Sequence, residues 1–582
     1  MSSIRGHRQP LFMWAAYAGG VIFPKCGAEP LAARGSLSHD PEKAWTDPCR
    51  FQGAFIMRVL VLSLLSTVVG GVPAAAQTQP PIEEKSIEQL QAMMAGGTSS
   101  AAITQAYLAR IAAMDRTGPT LRAVIATNPD AIAQARAADA RRKAGKPLGP
   151  LDGVPVLIKD NIETKDPLAT TAGSLALKDN VTRRDAPLVA SLRRQGAVIL
   201  GKTNLSEWAN IRSTHSMSGW SAVGGLVRNP YALDRTSCGS SSGSGAAVAA
   251  SFAAVAVGTE TDGSVVCPSA MNGLVGLKPT LGMISRTHVV PISHSQDTPG
   301  PMARSVRDAA LLFNGMIGVD PADPATKGSA KYAHDFAAPL ATASLAGVRI
   351  AVLHPDMSEL LKAKYAAALA VLKAQGAVLV DVTPPKLDGI GEAELLVLQT
   401  ELKADLNTYL ATTPQAVKTR TLADVIAFDR AEAAREMPFF QQETFEAAEQ
   451  TRGLADAEYL GARAKSLRLA GKQGIDAMLA SANATLIVAP TYGMPWLSDT
   501  VSGDGGEGPS AAGLPAMAGY PHLTVPMGLV RGVPVGLSFI ATAWGDQRVL
   551  DAGYVYEQAA HARVAPGYAT TNDAGPGLDG AR

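Results

Sequence analysis

Short apolar runs that alternate with helical segments constrain the fold of this chain more than any other feature. Each run is flanked by Gly, Pro or Asn, as buried strands are. In chain order the expected strands are residues 124–127, 154–158, 198–200, 253–257, 348–353, 377–380 and 486–488. Helical spacing fills the intervals, for example at residues 130–143, 185–195 and 365–375. This alternation predicts an α/β fold in which helices cover both faces of a central sheet.

Further helices and two irregular segments complete the expected organisation. Residues 86–94 and 99–114 each begin at a Ser suited to cap a helix and carry apolar residues on one face. Residues 391–478 indicate several helices, which predict a cap or lobe over the sheet. We expect a mobile loop at residues 498–513, which are rich in Gly, Ser and Asp, and a disordered tail at residues 566–582.

A targeting signal begins inside the chain, at Met57. One Arg follows, then an apolar stretch at residues 59–72, then Pro-Ala-Ala-Ala-Gln at residues 73–77. A charged start, a short apolar core and an A-x-A cleavage site are the pattern of a secretory signal peptide. We therefore expect a signal peptide at residues 57–76 and an exported protein, periplasmic or secreted. The apolar stretch is shorter than the ~20 residues of a transmembrane helix, so we expect no stable membrane span.

The residues on either side of Met57 leave two alternatives open. Residues 1–56 show neither a helical nor a strand period, so a misassigned start codon explains them and a real cytosolic extension is the alternative. A buried helix is the alternative to the signal peptide at residues 59–72, but two glycines and the Ala run disfavour it.

The charge balance and the cysteine content exclude several classes of partner. Of the 582 residues, 52 are Lys or Arg and 51 are Asp or Glu, which gives a formal net charge of +1. Such a balance offers no attraction for nucleic acid or for an anionic membrane surface, so a small neutral ligand fits better. The four cysteines are too few for a disulfide scaffold, and no C-x-x-C pair or H-E-x-x-H motif suggests zinc. We expect no metal and no cofactor; the composition leaves the oligomeric state open.

Two Gly-rich segments in the middle of the chain have the pattern of a catalytic loop. A Ser/Gly run spans residues 238–245, and residues 258–268 read Gly-Thr-Glu-Thr-Asp-Gly-Ser-Val-Val-Cys-Pro. Glycines allow consecutive backbone N–H groups to point into one small space, and a Ser at the end of such a loop presents its hydroxyl there. A nucleophile beside an oxyanion hole has this arrangement, although a strand followed by a simple Gly turn gives the same pattern.

Lys159 stands at the end of an expected buried strand and is a candidate general base. A solvated loop lysine is the alternative, because lysines often follow strands. Partial burial disfavours the ammonium form, however, and can lower a lysine pKa from ~10.4 to about 7. A neutral lysine then accepts protons at physiological pH.

The Ser/Gly run also satisfies G-x-S-x-G at residues 239–243, which makes an α/β-hydrolase with Ser241 as nucleophile an alternative. That motif requires a strand directly before it, whereas residues 228–235 contain Pro, Asn and Asp in a loop-like order. A flexible linker or the start of a helix also explains the run. Residues 296–305 are expected to be architectural, with a Pro/Gly turn followed by a helix that Ser305 caps.

Taken together, these segments resemble the amidase signature family. The resemblance is carried, in order, by residues 153–160, 201–207, 238–245, 258–268, 273–280, 297–305, 518–521 and 532–536. It implies a single large amidase signature domain at residues 77–565, with a central mixed β-sheet covered by helices. It also implies an amidase, a hydrolase of linear amides that works through an acyl-enzyme intermediate.

Residue by residue, the resemblance implies a Ser-Ser-Lys triad. Lys159 matches the catalytic lysine, Ser240 the bridging serine that follows a cis peptide bond, and Ser264 the nucleophile. Lys159 would take a proton from Ser240, which would take one from Ser264. The backbone N–H groups implied for the oxyanion hole are those of Thr261, Asp262, Gly263 and Ser264.

Departures from the common family pattern are similar to one branch, the bacterial peptide amidases, which remove the C-terminal amide from peptides. A Ser-Gly pair, Ser242 and Gly243, stands where many members have Gly-Gly, and Asp262 stands where many have Gly. Cys238 and Cys267 also match that branch, and they leave a disulfide or two buried free thiols as alternatives. The substrate would then be a small-molecule or peptide amide.

Three other functions stay open at this point. An aryl or fatty acyl amide hydrolase of the same family would share the triad. The amidotransferase subunit that amidates tRNA-bound Glu shares the motifs, but it works in the cytosol with partner subunits. A cleaved signal peptide would therefore exclude this function. A catalytically silent binding protein would keep the strands without needing Lys159, Ser240 and Ser264 together.

Overall fold

The computed structural model describes residues 79–506 and 508–572, which belong to one unit of the chain that begins at Gln79. The expectations that fall outside the described residues are the N-terminal extension (1–56), the signal peptide (57–76), one position of the expected loop (507) and the end of the expected tail (573–582).

One mixed sheet of eleven strands runs through this unit, as the alternating pattern predicts. In chain order the strands are β1 (Val124–Thr127), β2 (Pro155–Lys159), β3 (Val198–Thr203), β4 (Val255–Glu260), β5 (Val275–Lys278), β6 (Thr298–Ala303), β7 (Arg349–Val352), β8 (Val378–Asp381), β9 (Leu486–Pro490), β10 (His522–Val530) and β11 (Val533–Ile540). Their order across the sheet is β1-β3-β2-β4-β6-β5-β10-β11-β9-β7-β8.

Two groups of parallel strands are joined by antiparallel ones. β2 lies between β3 and β4 and is parallel to both. β7 lies between β8 and β9 and is likewise parallel to both. All the other neighbouring pairs of the sheet are antiparallel. The carboxyl ends of β2, β3 and β4 therefore meet at one edge of the sheet, where open α/β sheets bind their ligands.

Sixteen α-helices accompany the sheet in the described residues. They are α1 (Ile87–Ala95), α2 (Ser100–Met114), α3 (Ala131–Lys143), α4 (Pro187–Arg194), α5 (Ser242–Ala249), α6 (Val266–Met271), α7 (Val306–Met316), α8 (Glu359–Ala374), α9 (Ile390–Leu410), α10 (Leu422–Ala431), α11 (Ala433–Glu436), α12 (Glu443–Glu449), α13 (Ala457–Leu467), α14 (Asp476–Ser481), α15 (Gly513–Ala518) and α16 (Asp546–Ala560). None of the helices in the described ranges is long and apolar enough to cross a membrane.

Serine residues start several of these helices where the sequence predicts them. The Ser86 hydroxyl accepts the N–H of Gln89, whose side chain accepts the Ser86 N–H in return, which forms a capping box at α1. Ser99 and Ser305 cap α2 and α7 through their hydroxyls. A cap of this kind stabilises a helix by about 1 kcal/mol.

The expected helical lobe is formed by α9 to α14. Leu398, Leu402 and Leu406 of α9 are buried in one apolar cluster with Val425 of α10. Trp208, which follows β3, belongs to the same cluster. The lobe is therefore packed on the segments that leave the parallel part of the sheet.

Four strands, β5, β6, β10 and β11, are not predicted from the apolar runs, and β6 shows why. Its sequence Thr-Pro-Gly-Pro-Met-Ala predicts a turn, because Pro lacks a backbone donor. The segment instead pairs with β4 along its whole length but with β5 only at Met302 and Ala303, so its second edge needs few donors. Gly300 fits there because a Cβ would overlap the Leu277 carbonyl oxygen.

Residues 566–572, which the sequence assigns to a disordered tail, contact the folded domain instead. The Tyr568 N–H donates to the Pro230 carbonyl oxygen at 2.9 Å, and Ala569 forms a bridge with Ala232. The Gly- and Pro-rich composition of this segment predicts disorder. The local sequence does not indicate that the segment pairs with residues far earlier in the chain. The domain therefore extends past the predicted boundary at residue 565.

Candidate active site

The predicted catalytic residues lie at the edge of the sheet where β2 and β4 end. Lys159 is the last residue of β2, and Glu260 is the last residue of β4. Ser240 stands two residues before α5, which begins at Ser242. Ser264 lies in the loop between β4 and α6. The fold thus brings segments from distant parts of the sequence to one edge.

Lys159 is fully buried, and three oxygen atoms surround its side-chain nitrogen. Nζ lies 2.8 Å from Ser240 Oγ, 2.9 Å from Thr259 Oγ1 and 3.2 Å from the Thr259 carbonyl oxygen. Burial lowers the pKa of Lys159 to about 7, although the Asp297 and Glu260 carboxylates act to raise it. A lysine with this pKa is half neutral near pH 7 and can accept a proton there.

Ser240 is held against Lys159 by its backbone. The Gly239–Ser240 peptide bond is cis, as the family resemblance implies. The Ser240 carbonyl oxygen accepts the N–H of Ser206 at 3.0 Å. A Cβ at Gly239 would overlap the Ser206 hydroxyl, which explains why glycine precedes the first serine of the run.

Ser264 follows a tight turn and is only 8% exposed. Gly263 has φ +80°, a conformation that favours glycine, and a Cβ there would overlap the Tyr492 hydroxyl. One Glu260 carboxylate oxygen accepts the N–H of Val265 at 2.8 Å and that of the next residue at 3.0 Å. The residue that ends β4 therefore closes the loop that carries Ser264.

Two contacts join the segment of Ser240 to the segment of Ser264. The Ser241 N–H donates to the Ser264 carbonyl oxygen at 3.2 Å. Cys238 and Cys267 form a disulfide bond with their Cα atoms 5.9 Å apart, so the alternative of two free thiols is wrong. In the described part of the chain no hydrogen bond joins the Ser240 and Ser264 hydroxyls directly; Ser240 Oγ is bonded to the lysine.

The backbone N–H groups of the turn before Ser264 differ in what they contact. Among the described residues, the amides of Thr261, Asp262 and Ser264 have no hydrogen-bond acceptor. The Gly263 amide instead faces the Glu260 carboxylate. Burial raises the pKa of Glu260, and the backbone hydrogen bonds from this loop, including that of Gly263, oppose the rise. Within the part of the chain that the structure describes, three of the four predicted oxyanion donors therefore have no hydrogen-bond partner.

Three buried polar residues around Lys159 are not found by the sequence reasoning: Asn161, Thr259 and Asp297. The Asn161 side-chain amide donates to Thr259 Oγ1 at 2.9 Å. The Asp297 carboxylate accepts the Thr261 hydroxyl at 2.6 Å, and burial raises the pKa of Asp297 to about 6. All three stand inside or beside the quoted motifs, but their contacts run between segments, which periodicity and spacing do not reveal.

Ser241 does not have the environment of an α/β-hydrolase nucleophile. It is fully buried, its hydroxyl donates to the Thr259 carbonyl oxygen at 3.0 Å, and it accepts the Thr259 N–H at 3.2 Å. Residues 228–240 form turns and isolated bridges rather than the strand that a nucleophile elbow requires. Ser241 therefore fastens the start of α5 to the end of β4.

The helical lobe contacts the loop that carries Ser264 through one glutamine. The Gln296 side-chain amide donates to the Thr261 carbonyl oxygen at 3.1 Å and to Glu394 of α9 at 2.9 Å. Burial raises the pKa of Glu394 to about 7. Asp262 is exposed beside these groups. Asp262 and the start of the lobe therefore lie beside the loop that carries Ser264.

One histidine and two carboxylates lie close together where the loop before β6 meets α9. His294, Glu401 and Asp405 place their ligand atoms within 4.8 Å of one another. The Glu401 carboxylate, however, already accepts the hydroxyls of Ser295 and Tyr459. These donors occupy the oxygens that a metal ion would need, so the group ties a loop to α9 instead.

Comparisons with known proteins place the chain among amidases. The Amidase family model matches residues 102–550. The crystal structure of a native peptide amidase from Stenotrophomonas maltophilia is similar, with 49% sequence identity and a TM-score of 0.80, over 84% of this chain and 99% of that chain. A probable amidase of Arabidopsis thaliana is 36% identical over 530 residues, which cover 89% of this chain and 98% of the relative.

A third relative, from Symbiobacterium thermophilum, is one of the subunits of glutamyl-tRNA(Gln) amidotransferase. It is 34% identical over 483 residues, which cover 80% of this chain and 94% of the relative. The family model, the shared fold and the extent of these matches lead to one conclusion. The chain belongs to the amidase signature family and is an amide-hydrolysing enzyme.

Proposed function

We propose that this enzyme cleaves a carbon–nitrogen amide bond through Ser264 as nucleophile, Ser240 as bridge and Lys159 as base. The observation that carries the proposal is the 2.8 Å contact between Lys159 Nζ and Ser240 Oγ, made by a fully buried lysine whose pKa is lowered to about 7. A base needs a pKa near the working pH and a proton within hydrogen-bond reach, and this pair has both.

The relay moves protons in one direction and then back. Neutral Lys159 takes the proton of Ser240, which takes the proton of Ser264. Ser264 Oγ then bonds to the amide carbonyl carbon, and the carbonyl electron pair moves onto the oxygen. Because amines leave poorly as anions, the proton returns through Ser240 to the departing nitrogen as the C–N bond breaks. Water then cleaves the acyl enzyme through the same groups.

The free amides of Thr261, Asp262 and Ser264 are the proposed donors to the oxyanion. Donors that are already oriented need no rearrangement when charge develops on the carbonyl oxygen, and losing one such donor typically costs about 3 to 4 kcal/mol of transition-state stabilisation. Gly263, whose amide faces Glu260, contributes differently, because it permits the turn that aims the other amides.

For the substrate we propose the C-terminal amide of peptides. Two observations support this choice: the match to a peptide amidase extends over 99% of that chain at 49% identity, and Asp262 and the Ser242-Gly243 pair follow the pattern of that branch. An aryl or fatty acyl amide is the second candidate within the family. The 34% identity with one amidotransferase component supports a third, glutaminyl-tRNA formation with partner subunits.

We also propose that the enzyme is exported to the periplasm or secreted. The Cys238–Cys267 disulfide supports this, because disulfides persist in oxidising compartments. The signal-peptide pattern at residues 57–76 points to the same compartment. Sequencing the N-terminus of the native protein tests the proposal: a mature chain that begins at Gln77 supports export, and a chain that keeps residues 57–76 contradicts it.

A substrate panel tests the reaction and the substrate together. Amidated peptides, anilides and fatty amides are incubated with the enzyme, and ammonia or amine release is measured. We expect kcat/KM to be highest for amidated peptides and Ser264→Ala to abolish release from every substrate. A preference for anilides or fatty amides would overturn the peptide proposal alone, whereas full activity of Ser264→Ala would overturn the mechanism.

A further inference from the structure

Thr259 and Asn161 form a buried pair beside Lys159 that the proton relay does not use. Thr259 is the next-to-last residue of β4 and is 7% exposed, and Asn161 is 3% exposed. The Thr259 hydroxyl oxygen lies 2.9 Å from Lys159 Nζ and 2.9 Å from the Asn161 side-chain nitrogen. Its carbonyl oxygen lies 3.2 Å from the same lysine nitrogen. Thr259 therefore places two oxygen atoms, Oγ1 and the carbonyl oxygen, within hydrogen-bond distance of Lys159 Nζ.

The protons of a neutral lysine limit how these contacts can be arranged. A neutral amine has two N–H donors and one lone pair, and three oxygens surround Nζ. The Thr259 carbonyl oxygen can only accept, so it takes one N–H. If Thr259 Oγ1 takes the second N–H, the lone pair is left facing Ser240, whose hydroxyl must then donate to it. Only this arrangement lets Lys159 act as a base toward Ser240.

Asn161 favours this arrangement. A hydroxyl oxygen has one proton and two lone pairs. The Asn161 amide fills one lone pair of Thr259 Oγ1, and it holds the hydroxyl in place beside the lysine. The second lone pair is then available to the lysine N–H. Without Thr259 Oγ1, that N–H would be unpaired in a fully buried site, and the amine could rotate its lone pair away from Ser240.

We propose that Thr259, fixed by Asn161, is a positioning residue that directs the lone pair of Lys159 at the Ser240 hydroxyl. The inference rests on the proposed function, because it assumes that Lys159 is the base. The same oxygen also accepts an N–H of the charged lysine, whose newly gained proton faces Ser240, so it stabilises the ammonium form too. Removing the Thr259 hydroxyl therefore disfavours the ammonium form of Lys159. It also leaves the neutral amine free to rotate.

The other charged groups near Lys159 stay in place when Thr259 is changed. Asp297, which precedes β6, and Glu260, at the end of β4, both act to raise the lysine pKa. Lys202 of β3 is paired with Asp160 at 3.2 Å, beside β2. A change in the pH profile of a Thr259 variant therefore reports the lost oxygen.

The test compares Thr259→Val with Thr259→Ser across pH, in the full-length enzyme with its best substrate. Val keeps the branched shape and lacks the oxygen, so we expect kcat to fall by about 10- to 100-fold, which does not exceed the lower end of the ~10²- to 10⁴-fold that general-base catalysis contributes. KM should change little. The acid limb of the kcat profile should move to lower pH by up to about one unit. Ser keeps the oxygen and should restore both kcat and the profile.

Two controls separate this inference from the mechanism on which it rests. A Thr259→Val enzyme with unchanged kcat and pH profile, alongside an inactive Lys159→Ala, would overturn the role of Thr259 and leave the mechanism intact. An active Lys159→Ala would overturn the mechanism itself. If Thr259→Val does not fold, as judged by circular dichroism and melting, Thr259→Ala repeats the test, because it also removes the oxygen and adds no methyl group beside Asn161.

Discussion

One carboxylate oxygen of Glu260 lies 2.8 Å from the amide nitrogen of Val265, and this contact closes the loop that carries Ser264. Glu260 is fully buried, and the same oxygen also accepts the N–H of Val266 at 3.0 Å. The last residue of β4 thus fixes both ends of the turn. The position of Ser264, the proposed nucleophile, therefore depends on the Glu260 side chain.

Glu260→Ala should therefore weaken both the fold and the activity. Hydrogen bonds to a charged group contribute about 1.5 to 3 kcal/mol each, so we expect the free energy of unfolding to fall by at least about 2 kcal/mol and kcat to fall with it. Denaturant unfolding and steady-state kinetics measure the two effects. Glu260→Gln is the matched control, because its amide oxygen can accept the same N–H groups and should retain more of both. Equal losses in the two variants would show that the loop does not depend on this acceptor.

Ser241→Ala distinguishes the two serines that motif reasoning offered as nucleophiles. Ser241 bonds to the Thr259 backbone, so its loss should remove about 1 kcal/mol of stability and leave measurable amide hydrolysis. Ser264→Ala should leave none. Kinetic assays and thermal melts of the two variants provide the comparison. An inactive, well-folded Ser241→Ala beside an active Ser264→Ala would make Ser241 the nucleophile and contradict the role of Ser264.

The Cys238–Cys267 disulfide should stabilise the site that it spans. It closes a loop with a sequence separation of 29, for which the chain-entropy estimate is roughly 3 to 4 kcal/mol. Replacing both cysteines with alanine should lower the free energy of unfolding by about that amount. Activity should also fall, because the bond joins the segment of Ser240 to the segment of Ser264. An unchanged unfolding curve would mean that the other contacts already hold the two segments together.

A buried carboxyl in the helical lobe should make stability depend on pH. Asp429 of α10 is fully buried, and neither of its carboxylate oxygens has a hydrogen-bond partner among the described residues. Burial, helped by the nearby Glu436 carboxylate, raises the pKa of Asp429 from 3.8 to about 8, and Arg212 only partly opposes the rise. The folded protein then holds a proton that the unfolded chain releases above pH 4. Between about pH 4 and pH 8 the free energy of unfolding should fall as pH rises, by up to about 1.4 kcal/mol per pH unit for this group.

Asp429→Asn should reduce this pH dependence, because an amide does not titrate. The variant should melt close to the native protein at pH 5 and above it at pH 8. Glu207 and Glu436, which share the cluster with Arg212, still titrate, so part of the slope should remain. Asp388→Asn changes an exposed carboxyl just before α9 and serves as the control. Parallel pH profiles for Asp429→Asn and the native protein would contradict the account.

Local patterns in the sequence single out the candidate site more readily than they single out the strands of the sheet around it. Lys159 and Ser264 become candidates because each ends a recognisable local pattern, a lysine after an apolar strand and a serine after a Gly turn, and their catalytic roles stay predictions. The sequence does not identify Thr259 as a site residue, because its proposed role comes from contacts with Lys159 and Asn161, which lie on or beside a different strand. Local spacing carries no information about which strands become neighbours.

Strands that contain proline or glycine are missed for a similar reason. β10 carries Pro526 and Gly528, and its register shifts between these two residues where it pairs with β11. Such residues disfavour a strand when they are judged alone. In the folded protein, burial between β5 and β11 outweighs this local preference. In β2, by contrast, the proline is the first residue of the strand, so the apolar run behind it is unbroken and the strand is predicted correctly.

The identity of the residue that becomes acylated tests the central claim most directly. The enzyme is mixed with a slowly deacylated amide, quenched during turnover, digested and mapped by mass spectrometry. We predict that the acyl group is found on Ser264, that Ser264→Ala carries none, and that Lys159→Ala accumulates it far more slowly. An acyl group on Ser241 or on another residue, or turnover with no acylated serine, would contradict the mechanism.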